Sequence, residues 1–577
     1  MPDDRSFVSG IGNRRALELL YFFAALVFVI GIRLLFLQVF EHNYFLEKSM
    51  DQRLRFISLS PDRGDIFDRN GNLLATSINA YSVFTVPRNV ENKKAVADVL
   101  SKQLNMSRYS VMEKLNSEKP FVWIKRKIEE PVAQKLIQKK LPGIGFISEK
   151  KRVYPKKRLA SSVIGFVGTD NQGLSGIEIS YDRYLKGEPG KLTTERDNRG
   201  MEIMTSNLRV LESATDGMNI TLTLDEPTQY LAEQKIRKAV TENHAKSGCI
   251  IVMNTKTGEL LALASYPDFD PNEFQRFKPE VLYSRVVSDV YEPGSTFKLV
   301  TVASAIEEGA ITKNSTVYCP DKVEVGGKII RNSHKLKFPT RYLSIADILK
   351  ESVNIGVVQI AQKMGKEKFY RHIKDFGFGE STDVGLAGES RGILSDVKDW
   401  NKPDIAMISF GQGIAVTPIQ LISSLSSLAN KGRRVKPYLV KNIESVDKSF
   451  VKAFVTEDRG QVVSQDTARD IMDLSRLVVE KGTGRLAQIP DFQVGGKTGT
   501  AQKALPNGEG YIEGHYISSF IGFAPLSDPR LAVLVVVDDP YPKYWGETVA
   551  APACRDLMEF SLRRFNIPPD KPAKAVI

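Results

Sequence analysis

The sequence predicts an α+β protein carried on one N-terminal membrane-crossing helix, with a mixed, extended module ahead of a larger one built from helices and strands. Three observations carry this. The stretch "LLYFFAALVFVIGIRLLFLQVF", Leu19 to Phe40, is apolar over most of its 22 residues. From Asp51 to about Asp225, short β-type runs alternate with turns. Beyond that, a strand pair comes early, helices fill the middle and strands return late, the order of one domain whose sheet uses both ends of its chain.

The bulk numbers fit several folded units: 577 residues exceed one hydrophobic core, and 42% hydrophobic with 26% charged residues is ordinary for folded chains. The net charge is +12, with basic clusters at "EKKRVYPKKR" (Glu149 to Arg158) and "KGRRVK" (Lys431 to Lys436). These are scattered, with no zinc-finger spacing or aromatic RNA-binding box, so they read as solvated faces and no nucleic-acid partner is expected. Cys249, Cys319 and Cys554 lie far apart with no C-x-x-C, and the histidines are dispersed. No disulfide framework or metal site is expected.

The elements follow in order. As a helix, Leu19 to Phe40 spans about 33 Å, enough for the hydrocarbon layer. Its core, Leu19 to Ile32, is free of charge and has no polar face, and Arg33 lies near enough to one end to snorkel. No small-residue cleavage site follows, so the segment reads as an uncleaved anchor rather than a signal peptide. Arg5, Arg14 and Arg15 precede it, which keeps residues 1–18 cytoplasmic and places everything after about Glu41 outside the membrane. Residues 41–225 form the mixed module. Within it Asn70-Gly71 in "GDIFDRNGNLLATS" signals a hairpin, and Asn92 to Pro142 reads as helical, through "KAVADVLSKQL" and "EPVAQKLIQKKL". Residues 226–567 form the larger module. Asp225 is placed to cap its first helix with Pro227 in the first turn, and "GCIIVMNTKTGELLALAS" turns as a hairpin at Lys256-Thr257-Gly258. The late strands are "FQVGGKTGTAQ", "YISSFIGFAP" and "RLAVLVVVDDP", and residues 568–577 read as a tail.

The chemistry begins at "YEPGSTFKLVTVASAIEEG", Tyr291 to Gly309. Serine is a weak nucleophile until a neighbouring base takes its proton. Ser295 and Lys298 lie three apart, on one face of a helix start. There the positive end of the helix dipole, with burial, favours the neutral amine that a base requires. Taken alone the pattern is weak. S-x-x-K occurs five times, at Ser148, Ser295, Ser395, Ser445 and Ser449, and an exposed helix or loop pair is the ordinary reading of each. Two further motifs single out Ser295. In "ESVNIG", Ser352 and Asn354 set a hydroxyl two residues from a carboxamide, which suits a loop that relays a proton and grips a substrate amide; an N-cap or turn is the plain alternative. In "GGKTGT", small residues including Gly499 let a substrate backbone approach an edge strand, and Lys497, Thr498 and Thr500 can bind a carboxylate. The other S-x-N, Ser77 to Asn79, lies in the first module, and the other K-T-G, at Lys256, lies in a hairpin turn.

One set alone has the order S-x-x-K, S-x-N, K-T-G in a single module, and that triple marks β-lactamases and penicillin-binding proteins. The chain resembles a class B penicillin-binding protein, a peptidoglycan D,D-transpeptidase, most closely of the cell-division (septal, FtsI) type. The likeness spans nearly the whole length: "RGDIFDRNGNLLA", "RVYP", "GFVGTDNQGLSGIE" and "ERDNRG" in the first half, "GELLALASYPDFDPN", "YEPGSTFK" and "FGQGIAVTPIQL" in the second. The middle motif reads Ser-Val-Asn, where relatives often have Asp or Ser at its centre.

The resemblance implies a pedestal at 41–225 and a transpeptidase domain at 226–567, an antiparallel sheet flanked by helices as in serine β-lactamases. It also implies roles. Ser295 attacks the carbonyl of the penultimate D-alanine of a stem pentapeptide, with Lys298 as base. Ser352 helps return the proton to the leaving amine, and the backbone N–H groups of Ser295 and Thr500 form the oxyanion hole. Asn354 holds the peptide backbone, Lys497, Thr498, Gly499 and Thr500 take the terminal carboxylate, and a neighbouring stem's amine resolves the acyl-enzyme. β-Lactams would trap Ser295, and no metal or organic cofactor is implied. The implied partners are lipid-linked stem peptides, a SEDS-family glycosyltransferase (FtsW type) and other divisome membrane proteins. A carboxypeptidase or an elongation-type transpeptidase shares the triple. A free β-lactamase would not need the anchored first half. A bifunctional synthase would need an E-D-x-x-F-x-x-H motif that is not found, and a sensor would need a larger cytoplasmic part.

Overall fold

The computed structural model describes residues 5–195, 211–334, 342–505 and 510–571. The "ERDNRG" segment from Arg196 onward, the first four residues and the tail from residue 572 lie outside the described residues. The chain forms two compact units, Met1–Pro61 with Glu188–Thr215 and Asp62–Gly187 with Asp216–Ile577.

The first unit holds the helix Arg5–Leu35, a π-helical turn Phe36–Phe40, the helix His42–Arg53 and a small antiparallel sheet of Leu54–Leu59, Gly190–Glu195 and Leu211–Glu212. Arg14–Phe40 is long and apolar enough to cross a membrane, and none of it is buried against protein. Its large side chains stand outward, Phe28 at 69% exposure. Its length and uncovered apolar surface are compatible with a single-pass membrane anchor.

In the second unit the Asn70-Gly71 hairpin forms as expected. Ile66–Phe67 pairs antiparallel with Leu73–Thr85, Gly71 takes φ +86°, and the Asp68 carboxylate accepts from the Asn70 and Asn72 amides at 2.8 Å each. The helical reading of Asn92 to Pro142 needs a correction. Helices form at Lys93–Leu104, Arg108–Leu115 and Glu130–Ile137, but Val122–Glu129 is a strand between them. Val122, Trp123, Ile124 and Ile128 favour a pleated surface. The strand alternation puts Ile124 and Ile128 on one buried face, in the core beneath these helices. The seven-stranded sheet also takes in Ile144–Val153, Asn219–Leu222 and, from after residue 226, Val440–Glu444 and Val451–Ala453.

Three of the sequence boxes meet in this half as one buried ion cluster. Arg63 Nε donates to Glu178 Oε2 at 2.6 Å, Arg152 Nε to Glu178 Oε1 at 2.7 Å and Arg63 Nη1 to Asp182 Oδ1 at 2.6 Å. The Tyr154 hydroxyl donates to Glu178 Oε1 at 3.1 Å. Glu178 is wholly buried and Arg63 nearly so.

The other sheet is antiparallel, in the spatial order Leu260–Tyr266, Ser247–Asn254, Leu531–Asp538, Tyr511–Ala524, Gly495–Ala504. Strands from both ends of the module thus lie side by side, as the sequence order implied. Helices Glu226–Glu242 and Ala551–Arg564 cover one face through Ala232, Ile236, Leu557 and Leu562, and the remaining helices cover the other. Covered on both sides, Ser247–Asn254 is buried almost end to end. Asp225 caps the first helix, accepting from the Thr228 amide at 3.2 Å and its hydroxyl at 2.6 Å. The same carboxylate accepts from Asn70 Nδ2 at 3.0 Å, which ties the hairpin to this helix.

Candidate active site

The Pro-Gly break before Ser295 makes a tight 3₁₀ turn, Gly294–Phe297, that runs straight into the helix Lys298–Glu307. Gly294 takes φ +55° and its amide donates to the Gly411 carbonyl at 3.0 Å. A Cβ on Gly411 would lie 2.2 Å from the Gly294 oxygen, so the "FGQG" loop can only approach as glycine. The second motif sits between the helices Ile345–Lys350 and Asn354–Met364. Ser352 there adopts φ +55°, a left-handed conformation that L-residues rarely take and that functional sites often hold. The third lies on Gly495–Ala504, the edge strand. Gly499 lets that strand close on the nucleophile turn, since a Cβ would meet Ser519 Oγ at 2.3 Å and the Pro293 oxygen at 3.1 Å.

These segments enclose a cleft of about 550 Å³, lined by Ser295, Ser352, Asn354, Thr498 and Thr500 among others. Lys298 and Lys497 lie beneath its floor, both wholly buried. Lys298 Nζ donates to the Ser352 carbonyl at 2.6 Å and to Asn354 Oδ1 at 2.7 Å, and lies 3.2 Å from Ser352 Oγ. Lys497 Nζ donates to the same Ser352 hydroxyl at 3.0 Å and to the Thr498 carbonyl at 3.2 Å. One hydroxyl therefore bridges two buried amines. Asn354 Nδ2 donates to the Arg331 carbonyl at 3.1 Å, the Thr498 hydroxyl pairs with Thr483 at 2.8 Å, and the Thr500 hydroxyl accepts from the Gly546 amide at 3.2 Å.

The structure gathers every predicted site residue here, with two refinements. The expected Ser295–Lys298 contact is not a hydrogen bond among the described residues. The buried amine is held by three oxygens of the Ser-Val-Asn turn, as a buried polar group must be, and Ser295 lines the cleft. Lys497 is buried, its amine 3.4 Å from the Thr498 hydroxyl, rather than at the surface.

Burial pushes the Lys298 amine well below the ordinary lysine value, and the Lys497 charge adds to this. Burial alone brings Lys497 down to about 7. Desolvation makes the neutral amine accessible. The sequence reading missed Thr483, the aromatic side formed by Tyr511, Tyr516, Tyr544 and Trp545, and the hairpin ending at Arg331, all of which line the cleft. Only "FGQG" gave a signal, two glycines inside an apolar stretch.

Known proteins match this architecture. A family model for the penicillin binding protein transpeptidase domain covers residues 248–559, and one for the penicillin-binding protein dimerisation domain covers 58–222. Stage V sporulation protein D of Bacillus subtilis is 37% identical over 98% of this chain and 88% of its own. Peptidoglycan D,D-transpeptidase FtsI of Escherichia coli is 32% identical over 95% of this chain and 91% of its own. Among solved structures, a peptidoglycan synthetase from Bifidobacterium adolescentis aligns with a TM-score of 0.72 at 26% identity, over 91% of this chain and 99% of that one. Penicillin binding protein 3 of Mycobacterium tuberculosis, complexed with aztreonam, aligns at 0.70 and 26% identity, over 89% and 99%. Matched along both halves, the chain belongs to the class B penicillin-binding proteins, the serine-type peptidoglycan D,D-transpeptidases.

Proposed function

We propose that Ser295 is the nucleophile of this transpeptidase and Lys298 its base. The observation that carries the reading is the Ser352 hydroxyl held between two buried amines beside a cleft that Ser295 and Thr500 line. A neutral amine has two protons, and the short contacts to the Ser352 carbonyl and Asn354 Oδ1 occupy both. Its lone pair, which the Ser352 hydroxyl approaches to 3.2 Å, would take the Ser295 proton as Oγ attacks the penultimate D-alanine carbonyl. The Ser295 and Thr500 amides receive the oxyanion, a contribution typically about 10²–10³ in rate per donor. As the C–N bond breaks, the proton passes from Lys298 through Ser352 to the leaving D-alanine amine. The amine of a second stem then attacks the ester and the proton path runs in reverse. Thr498 and Thr500 hold the terminal carboxylate, with Lys497 supplying charge from beneath, and the second Nδ2 proton of Asn354 holds the peptide. Residues 41–225 serve as pedestal and 226–567 as transpeptidase domain.

A fluorescent penicillin tests the assignment. One adduct is expected, at Ser295, and none in Ser295→Ala; an adduct mapped elsewhere would overturn it.

We further propose a septal role, with the N-terminus cytoplasmic and an FtsW-type glycosyltransferase as partner. The FtsI-named relatives support this, as do Arg14 and Arg15 ahead of the apolar span. Depletion should give filaments; rounded cells would assign an elongation role. In spheroplasts, external protease should degrade the C-terminal bulk, and its protection would reverse the topology.

A further inference from the structure

The cleft extends beyond the Lys-Thr-Gly motif, and its far end carries a cation that the chemistry above does not use. Gly495–Ala504 is an edge strand. A peptide that adds to it antiparallel, with its terminal carboxylate at Thr498 and Thr500, runs back toward Gln502 at about 6.8 Å per two residues. The residue before the two terminal ones therefore lies at the end of the cleft that Gln502, Tyr511, Gln412 and Lys328 line.

Lys328 is exposed and makes no salt bridge among the described residues. It follows a two-residue turn, Gly326-Gly327, with both glycines at positive φ, in the hairpin of Lys322–Val325 and Lys328–Arg331. The root of that hairpin is fastened to the Ser-Val-Asn turn. Asn354 Nδ2 donates to the Arg331 carbonyl at 3.1 Å, and the Ile355 amide donates to Asn332 Oδ1 at 3.1 Å. The lysine thus rides on an arm anchored to the catalytic loop.

An acid at that end, Glu292, is already engaged. Glu292 Oε1 accepts from the Gly413 amide at 2.8 Å and the Tyr511 hydroxyl at 3.3 Å. Burial raises its carboxyl above the ordinary value, with the Lys328 charge pulling it partly back. Lys328 lines the same cleft and is not neutralised by an ion pair among the described residues.

We infer that Lys328 is a specificity residue, binding a side-chain carboxylate on the donor-stem residue that precedes D-alanyl-D-alanine. This rests on the Ser295 acyl-enzyme reading. The enzyme would prefer stems acidic at that residue over stems neutral there, and because the pair is exposed the preference should be about three- to fivefold.

The test uses the full chain and two synthetic donor peptides that differ only in a side-chain carboxylate or its amide at that residue, with D-alanine release followed for each. A penicillin, which has no such residue, is the control. Wild type should favour the acidic donor through KM, Lys328→Gln should lose the preference, and Lys328→Glu should invert it. Penicillin acylation should be unchanged in all three. A preference that survives Lys328→Gln, its absence from a wild type that acylates normally, or an equal slowing of both donors and penicillin overturns the inference. A wild type that penicillin does not acylate at Ser295 overturns the nucleophile assignment, and this subsite with it.

Discussion

Two regions of the second unit bury charge and do opposite things with it. Around Glu178, two guanidiniums meet a carboxylate with good geometry, and the compensation holds Arg63 above its ordinary value against the effect of its burial. Beneath the cleft, Lys298 and Lys497 share one hydroxyl, and neither has a carboxylate within salt-bridge distance among the described residues. Both are driven down. Burying a charge costs several kcal/mol, which is offset only by a partner. Where the partner is present the result is a strut that lets three chain segments converge, and where it is absent the result is a depressed amine suited to the proposed base.

Removing one residue from each region should separate the two roles. Lys298→Met deletes the base, so penicillin acylation should fall about 10²–10⁴-fold. The fold should not suffer. In wild type the unfolded chain binds a proton that the folded chain refuses at any pH between the depressed value and the ordinary lysine value. Wild-type stability therefore rises with pH across that window. Lys298→Met should melt higher than wild type at pH 7, and the gap should close as the pH approaches 10. A variant that melts lower throughout would show that the amine is structural. Glu178→Ala is the converse. It leaves Arg152 without a carboxylate and Arg63 with Asp182 alone, and should cost about 3–5 kcal/mol in chemical denaturation, while the fraction that remains folded acylates at the wild-type rate. An unchanged denaturation midpoint would break the comparison from the other side.

Much of this was legible in the sequence where a local rule decides the structure. Asn70-Gly71 needs positive φ, Asp225 caps with its own carboxylate, and Leu19 to Phe40 has no face to bury. The strand Val122–Glu129 was not legible, because two helical patterns flank it and its buried pair, Ile124 and Ile128, is spaced to suit a helix as well as a strand. Nor was the ion cluster. "RGDIF", "RVYP" and "LSGIE" can each be picked out, but their meeting at Glu178 is a long-range event, with Arg63 and Glu178 115 positions apart. At the site, the three motifs do meet at one cleft, and the three-residue spacing suggested that Lys298 would face Ser295. Its amine instead turns to a loop more than fifty residues away, since the acceptors freed by the left-handed turn at Ser352 lie there.

The smallest expected effect concerns the coupling between the two amines. The Lys497 charge helps keep Lys298 low, so deleting that charge should let Lys298 rise. In Lys497→Met the acid limb of the acylation profile, where Lys298 becomes protonated, should move to higher pH. The alkaline side should change as well. Lys497 titrates at about 7, so a donor held by its terminal carboxylate should bind less well above that pH in wild type. The variant, having no charge there to lose, should bind weakly at every pH without that decline. Because the two amines interact through a shared hydroxyl, the limbs belong to the pair rather than to either residue, and the informative quantity is how they move between wild type and variant. An acid limb that stays in place would mean the two buried amines titrate independently, and desolvation alone would then account for the base.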